Sequence, residues 1–226
     1  MNEFNECIAI DGPAASGKST VGQKLAKLLG YLYFDTGVMY RAVTYAALKS
    51  LKSVADEQKV TELAEIVKID IQPPSKEDGR LNDVLLDHQD ITWEIRNREV
   101  EAHVSPVSAY RGVRKAMTAQ QRRIGARGKT VMVGRDIGTV VIPEAKFKFY
   151  LDASVEVRAN RRYKELVGRG EDCNYDKILE SMQKRDQIDS TREVAPLRAA
   201  EDAIRIDSDQ MSVEDVLNFM LKVIQG

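Results

Sequence analysis

Histidine and cysteine are nearly absent from this 226-residue chain, which has only His88, His103, Cys7 and Cys173. Neither histidine has a neighbour at metal-ligand spacing, and two distant cysteines make neither a disulfide framework nor a zinc site. Long hydrophobic runs are missing too, and none approaches the roughly 18 residues of a membrane span. Net charge is scarce: 34 basic residues face 35 acidic ones. That balance argues against bulk nucleic-acid or anionic-membrane partners, while local basic clusters remain able to hold phosphates. The opening "MNEFNECIAIDG" has no basic segment followed by an apolar stretch, so no secretory signal is expected and a cytoplasmic protein is the default. What is present is 43% hydrophobic and 31% charged residues, ordinary for a globular protein. The length allows one generous domain, or a core with a small insert.

Strand and helix signals alternate along most of the chain. "CIAI" (7–10) reads as a buried strand entering a Gly/Pro/Ser loop, and a helix follows over 18–29 with Gly30 as its C-cap. Further strands are expected at 31–35, 129–134, 147–152 and 203–207, with a last helix over 213–224. This rhythm implies an α/β fold with a five-stranded parallel sheet covered on both faces. Residues 67–105 break it: "VKIDIQPP" and "GRLNDVLLDHQDI" alternate in short strand-like pieces around Pro73-Pro74 and Asp78-Gly79. They read as a small antiparallel insert, after which a helical run over 107–124 returns to the sheet.

"GPAASGKS" (12–19) matches G-x-x-x-x-G-K-S between a strand and a helix, the context of a P-loop. Gly12 and Gly17 let the backbone curl around phosphates, and the helix N-terminus adds its partial positive charge. Lys18 would reach the β/γ phosphates and the Ser19 hydroxyl would hold Mg²⁺. The nucleotide loop is thus Gly12, Pro13, Ala14, Ala15, Ser16, Gly17, Lys18, Ser19 and Thr20. No Asn-Lys-x-Asp guanine-reading element occurs. Instead "FDTGVMYR" (34–41) and "VGRDIGTVV" (133–141) each deliver polar groups from a strand's carboxyl end, where open α/β sheets bind ligands. In "KRDQIDSTR" (184–192), Arg185, Asp189 and Arg192 share one helix face, either as an exposed ion pair or as the wall of an anion site.

Taken together, "IDGPAASGKST", "FDTGVMYRAV", "GRDIGTVV" and "RDQIDSTREVAPL" resemble bacterial cytidylate kinases of the long type, in order along the whole chain. The resemblance implies a three-layer nucleoside monophosphate kinase fold: a P-loop core (1–66 and 106–226), an arginine-bearing lid at about 155–173, and a monophosphate-binding region carrying the 67–105 insert. It implies transfer of the γ-phosphoryl of ATP, with Mg²⁺, to CMP or dCMP, by a monomer. It places cytosine near Ser105, Arg114 and Asp136, with the carboxylate accepting from N4 and the other two donating to N3 and O2. It sets Asp189 and Arg185 at the ribose, Arg41, Arg135 and Arg192 on the phosphate, and Thr36 and Tyr40 beside them. Arginine suits phosphate because its planar fork binds two oxygens and stays charged.

The lid is expected in "RANRRYKELVGRGED" (158–172), where Arg158 and Arg162 lie one helical turn apart and Gly168–Gly170 forms a hinge. Arg158, Arg162, Lys18 and Arg135 are the expected catalytic set, closing on the transferring phosphoryl and excluding water. One position departs from the family: two residues before Arg135, where an acid is common, stands Val133. Metal organisation would then fall to Ser19, Asp11 or Asp35. Two other readings stay open on the residues alone: a P-loop kinase acting on another monophosphate or a shikimate-like alcohol, and a module that holds ATP without transferring phosphate.

Overall fold

The structure, a computed structural model, describes residues 3–226. It opens with β1 (Cys7–Asp11), α1 (Lys18–Leu29), β2 (Leu32–Asp35), α2 (Gly37–Ser50) and α3 (Glu57–Ile66). A short antiparallel sheet follows, β3 (Ile69–Gln72), β4 (Asp83–Leu86) and β5 (Gln89–Asp90), and then α4 (Arg98–Ala109) and α5 (Arg111–Gly125). The chain returns through β6 (Thr130–Gly134), β7 (Phe147–Asp152), α6 (Val155–Gly168), α7 (Tyr175–Thr191), β8 (Ile204–Asp207) and α8 (Val213–Gln225). Five strands form one parallel sheet in the order β2-β6-β1-β7-β8.

Period-two alternation sorts the strand side chains into two cores. Ile8, Ile10, Tyr33, Val131 and Val133 pack with Val21 and Leu25 of α1 and Val216 and Met220 of α8. Cys7, Ala9, Phe34 and Met132 face the other way, against Met39 and Val43 of α2 and Val113, Met117 and Ile124 of α5. The result is the expected three layers. Each fully buried Ile or Val here stabilises by about 1.5–3 kcal/mol relative to exposure. The caps are local and legible: Gly30 ends α1 at φ 68°, and Ser212 with Asp215 makes a capping box for α8. No helix among the described residues is long and apolar enough to cross a membrane.

Two expectations need correction. The helical run over 107–124 is two helices, because Tyr110 at φ −61°, ψ 125° ends α4 and starts α5. The Tyr110 hydroxyl donates to the Val54 carbonyl at 2.8 Å. Beyond it α5 runs so close to α3 that a Cβ on Gly112 would lie 2.1 Å from Thr61 Cγ2. The strand-like reading of the insert holds for β3 to β5 and fails after them. Residues 98–105 belong to α4, whose N-cap Asn97 accepts from the Val100 N–H at 2.8 Å. Burial of Val100, Val104 and Val107 along one face outweighs the helix-breaking tendency of Pro106 within it.

The insert is organised around Arg80, which bonds Asp78, Asp83 and Asp90 at 2.7–3.1 Å. Trp93 Nε1 donates to the same Asp78 at 3.0 Å. Arg80 is covered closely, though by its own partners and a thin loop rather than by the core. From that loop Asn82 Nδ2 donates to the Tyr33 carbonyl of β2, the outermost strand, at 2.8 Å.

Candidate active site

Leaving β1, the chain turns tightly against β7. Gly12 has φ 147°, and a Cβ there would sit 2.1 Å from the Leu151 carbonyl oxygen, so no larger residue fits. Gly17 starts α1 at φ 99°. Inside the loop, Lys18 Nζ donates to the Pro13 carbonyl at 2.5 Å and to Ser16 Oγ at 3.3 Å. Lys18 is 6% exposed, and burial, reinforced by the charge of Arg135, pulls its ammonium down to about pKa 7. Ser19 and Thr20 are exposed beside it in a cavity of about 690 Å³, which Ala15, Ser16, Gly17, Arg161, Arg162, Met211 and Val213 also line. The loop after β8 that closes this cavity has no motif to announce it in the sequence.

The second site opens at the carboxyl ends of β2 and β6. All ten residues expected at a monophosphate substrate line one cavity: Thr36, Tyr40, Arg41, Ser105, Arg114, Arg135, Asp136, Arg185, Asp189 and Arg192. Four of its five arginines are already paired with carboxylates. Arg114 bonds Asp136 and lies over the Tyr40 ring, 5.4 Å from its centroid. Arg135 Nε meets Asp189 at 2.5 Å and Arg192 meets it at 3.4 Å. Arg41 meets Glu101 of α4 at 2.5 Å. Among the described residues no carboxylate lies within ion-pair distance of Arg185. The adjacent charge of Arg135, with burial, lowers the Arg185 guanidinium to about pKa 10. Arg114 Nε and Arg192 Nη2 are buried without a hydrogen-bond partner, although a cavity of only about 60 Å³ separates these groups. Buried donors of this kind are tolerated where a ligand supplies the acceptor.

Both carboxylate oxygens of Asp11 are engaged by backbone N–H groups. Its Oδ1 accepts from the Ile137 N–H at 2.8 Å and its Oδ2 from the Gly138 N–H at 2.7 Å. Burial raises this carboxyl to about pKa 7, and its work is to brace the turn that carries Arg135 and Asp136. Asp35 Oδ1 accepts from the Gly37 N–H at 2.9 Å, at the start of α2. Thr36 Oγ1 donates to the Val133 carbonyl at 3.0 Å, joining β2 to β6. The Val133 side chain points away from the crevice into the α1 core, against Gly22 and Tyr33. Burial raises the Tyr33 phenol well above its ordinary value, with Ser19 and Gln23 beside it.

The lid differs from expectation in two respects. Residues 155–191 form a helix pair, α6 and α7, stapled by the edge-to-face rings of Tyr163 and Tyr175 at 6.2 Å. Gly168 and Gly170 fall at the junction of the pair, where Gly170, at φ 73°, closes the end of α6 with its N–H on the Val167 carbonyl at 2.9 Å. Arg158 is turned inward, 4% exposed, bonding the Ala153 carbonyl at 2.9 Å, the Ala14 carbonyl at 3.2 Å and both oxygens of Asp186. It ties α6 to α7 and to the P-loop. Arg161 reaches the Ser208 carbonyl at 2.6 Å and the Ser16 carbonyl at 3.4 Å. Arg162 alone of the three faces both the nucleotide cavity and the cleft beside Glu101 and Arg185. Asp186 stands next to Arg185 in the sequence, but only the packing of α6 on α7 reveals its partner.

A family model described as cytidylate kinase matches residues 8–226. The chain is 47% identical over 218 residues to a cytidylate kinase of Bacillus velezensis and 46% identical over 218 residues to one of Bacillus subtilis, covering 96% of both chains in each case. It is 48% identical over 217 residues to a cytidylate kinase of Herpetosiphon aurantiacus, covering 96% of this chain and 93% of that one. On a match that spans nearly its whole length, to proteins so uniformly described, the chain belongs to the cytidylate kinase family.

Proposed function

We propose that the protein transfers the γ-phosphoryl of ATP to CMP or dCMP, giving ADP with CDP or dCDP. The observation that carries this reading is the single cavity in which the Arg114–Asp136 pair faces the cluster of Arg41, Arg135, Arg185 and Arg192, next to the P-loop. Asp136 accepts from the cytosine N4 amine while Arg114 and Ser105 donate to N3 and O2. Uracil offers an acceptor where cytosine has the amine, so the same carboxylate repels it. Asp189 and Arg185 hold the ribose, and Arg41, Arg135 and Arg192 hold the phosphate, with Thr36 and Tyr40 as walls.

The attacking group is a phosphate oxygen, already anionic at neutral pH, so no general base is required. Positioning and charge neutralisation carry the reaction. Lys18 turns from the Pro13 carbonyl to the donor phosphates, and Arg135 and Arg162 flank the transferring group from the two sites they line. Arg158, expected to close on the phosphoryl, acts instead through its hold on Ala14, keeping the P-loop and lid in one frame.

Ser19 fits a Mg²⁺ that arrives with ATP, since its hydroxyl is exposed in the donor cavity and Mg²⁺ takes its other ligands from water and phosphate. Bound there, the ion would supply neutralisation of charge between the phosphates. We place the monophosphate-binding region at 67–105 with the end of α4, the P-loop core on either side of it, and the lid on the α6–α7 pair. The protein works as a cytoplasmic monomer with small-molecule substrates as its only partners.

The test is ADP release from Mg-ATP with CMP, dCMP, UMP, AMP and shikimate offered separately. Turnover with CMP and dCMP and far less with UMP supports these assignments. Turnover only with another acceptor removes the roles given to Ser105, Arg114 and Asp136.

A further inference from the structure

Glu101 is the one carboxylate at the acceptor site that the cytidylate reading leaves without a task. It stands on α4 four residues before Ser105, so both project from the same helix face toward α2. Its Oε2 meets Arg41 at 2.5 Å, and its field also reaches Arg185. Beyond Arg41 it lines the cleft that runs to the lid, opposite Arg162, Lys177 and Arg185.

Charge counting shows what it does. Arg41, Arg114, Arg135, Arg185 and Arg192 carry five positive charges, and Asp136 and Asp189 remove two. Glu101 removes a third, so in the ligand-free protein it supplies at Arg41 part of the negative charge that a phosphate would bring. Asp136 and Asp189 are almost fully buried and bonded on more than one side. Glu101 is half exposed, has one partner and hangs on a long flexible stem, so it is the member of the set that can leave.

We propose that Glu101 is a displaceable counter-ion for Arg41, which an arriving phosphate dianion must replace. It is therefore a specificity-determining residue: it weakens the site for every phosphate-bearing ligand and leaves the nucleoside part untouched. The inference rests on the proposed contact between Arg41 and the substrate phosphate.

Calorimetric titration of the full chain with CMP and with cytidine tests it, using wild type, Glu101→Gln, Arg41→Gln and the double variant. An ion pair this exposed predicts that Glu101→Gln binds CMP about two- to fivefold more tightly, with cytidine affinity unchanged. The gain disappears when Arg41 is Gln. Unchanged or weaker CMP binding by Glu101→Gln, while Arg41→Gln loses affinity, overturns the counter-ion role and leaves the site assignment standing. An equal shift for cytidine also overturns it, since Glu101 would then act through the placement of α4. No loss of CMP affinity in Arg41→Gln overturns the phosphate contact itself.

Discussion

Burial of Lys18 makes nucleotide binding a proton-uptake reaction at alkaline pH. The free protein holds this ammonium at about pKa 7 because it is shut in against Pro13 and faces Arg135. Phosphates placed on the loop favour the charged form and drive it back toward the ordinary lysine value of about 10.4. At pH 8 only about a tenth of free molecules carry the charge, so binding takes up about 0.9 proton, whereas at pH 6 this group takes up about 0.1. Between pH 7 and 9 each unit therefore weakens the binding of a fully ionised nucleotide by up to about tenfold, or 1.4 kcal/mol. The same sign makes the free protein gain stability as pH rises above 7, where the unfolded chain keeps a proton that the folded one sheds. Calorimetry of Mg-ADP binding in buffers of different ionisation enthalpy reads the uptake directly and avoids turnover. Lys18→Met should lose most of this uptake. Uptake near zero at pH 8 in the wild type, with affinity flat to pH 9, refutes the claim that burial neutralises Lys18.

Replacing Asp136 by Asn gives the base a group that can donate as well as accept, and the preference for CMP over UMP in kcat/KM should narrow by about tenfold or more. Asp186→Ala strips the buried Arg158 of its bidentate partner. Losing one side of a buried pair costs about 3–5 kcal/mol. Because Asp186 is 27% exposed and water replaces part of it, about 2 kcal/mol is expected, which thermal unfolding should read as a Tm lower by about 4–8 °C. Arg80→Gln should raise hydrogen exchange over 75–92 and leave β6 and β1 protected. Bonds from Arg80 to Asp78, and from Thr92 and then Arg80 to Asp90, hold both acids well below the usual carboxylate range. A depressed acid stabilises above its unfolded value of 3.8 and loses that contribution as pH falls below it, so the variant should lose its difference from wild type in strong acid.

Features written into contiguous residues were readable from the sequence, and those made by distant ones were not. The P-loop, the cap at Gly30 and the five strands follow from spacing within a dozen residues, and the structure shows each of them. Eight of the ten residues expected at the monophosphate substrate stand in three of the quoted motifs, while Ser105 and Arg114 followed only from the family resemblance; the fold brings all ten to one cavity. Tyr110 was missed because it is a good helix former by periodicity. There the backbone turns extended, with the Tyr110 hydroxyl held by the Val54 carbonyl and α5 lying close on α3 at Gly112. Arg158 reads as a lid arginine free to close on the phosphoryl because a sequence shows its charge and not its pairing with Asp186, which arrives on the next helix. Asp11 and Val133 were judged by their distance from the motif. Only the sheet reveals that one is consumed by backbone N–H groups and the other points into the α1 core.

The bond from Asn82 to the Tyr33 carbonyl has a consequence for the life of the protein outside catalysis. β2 is an outer strand of the sheet, and an outer strand with open backbone groups is a template for another chain. At the opposite margin β8 exposes Arg205 and Asp207, whose charges discourage such pairing. β2 has instead the insert, whose loop occupies one outward carbonyl and drapes Pro73, Pro74 and Leu81 alongside. A chain trimmed of this segment would keep its P-loop and its arginines, yet it would carry an unguarded margin from the moment it left the ribosome. The insert thus covers part of an open strand margin, so its loop is constrained by solubility as well as by its own folding.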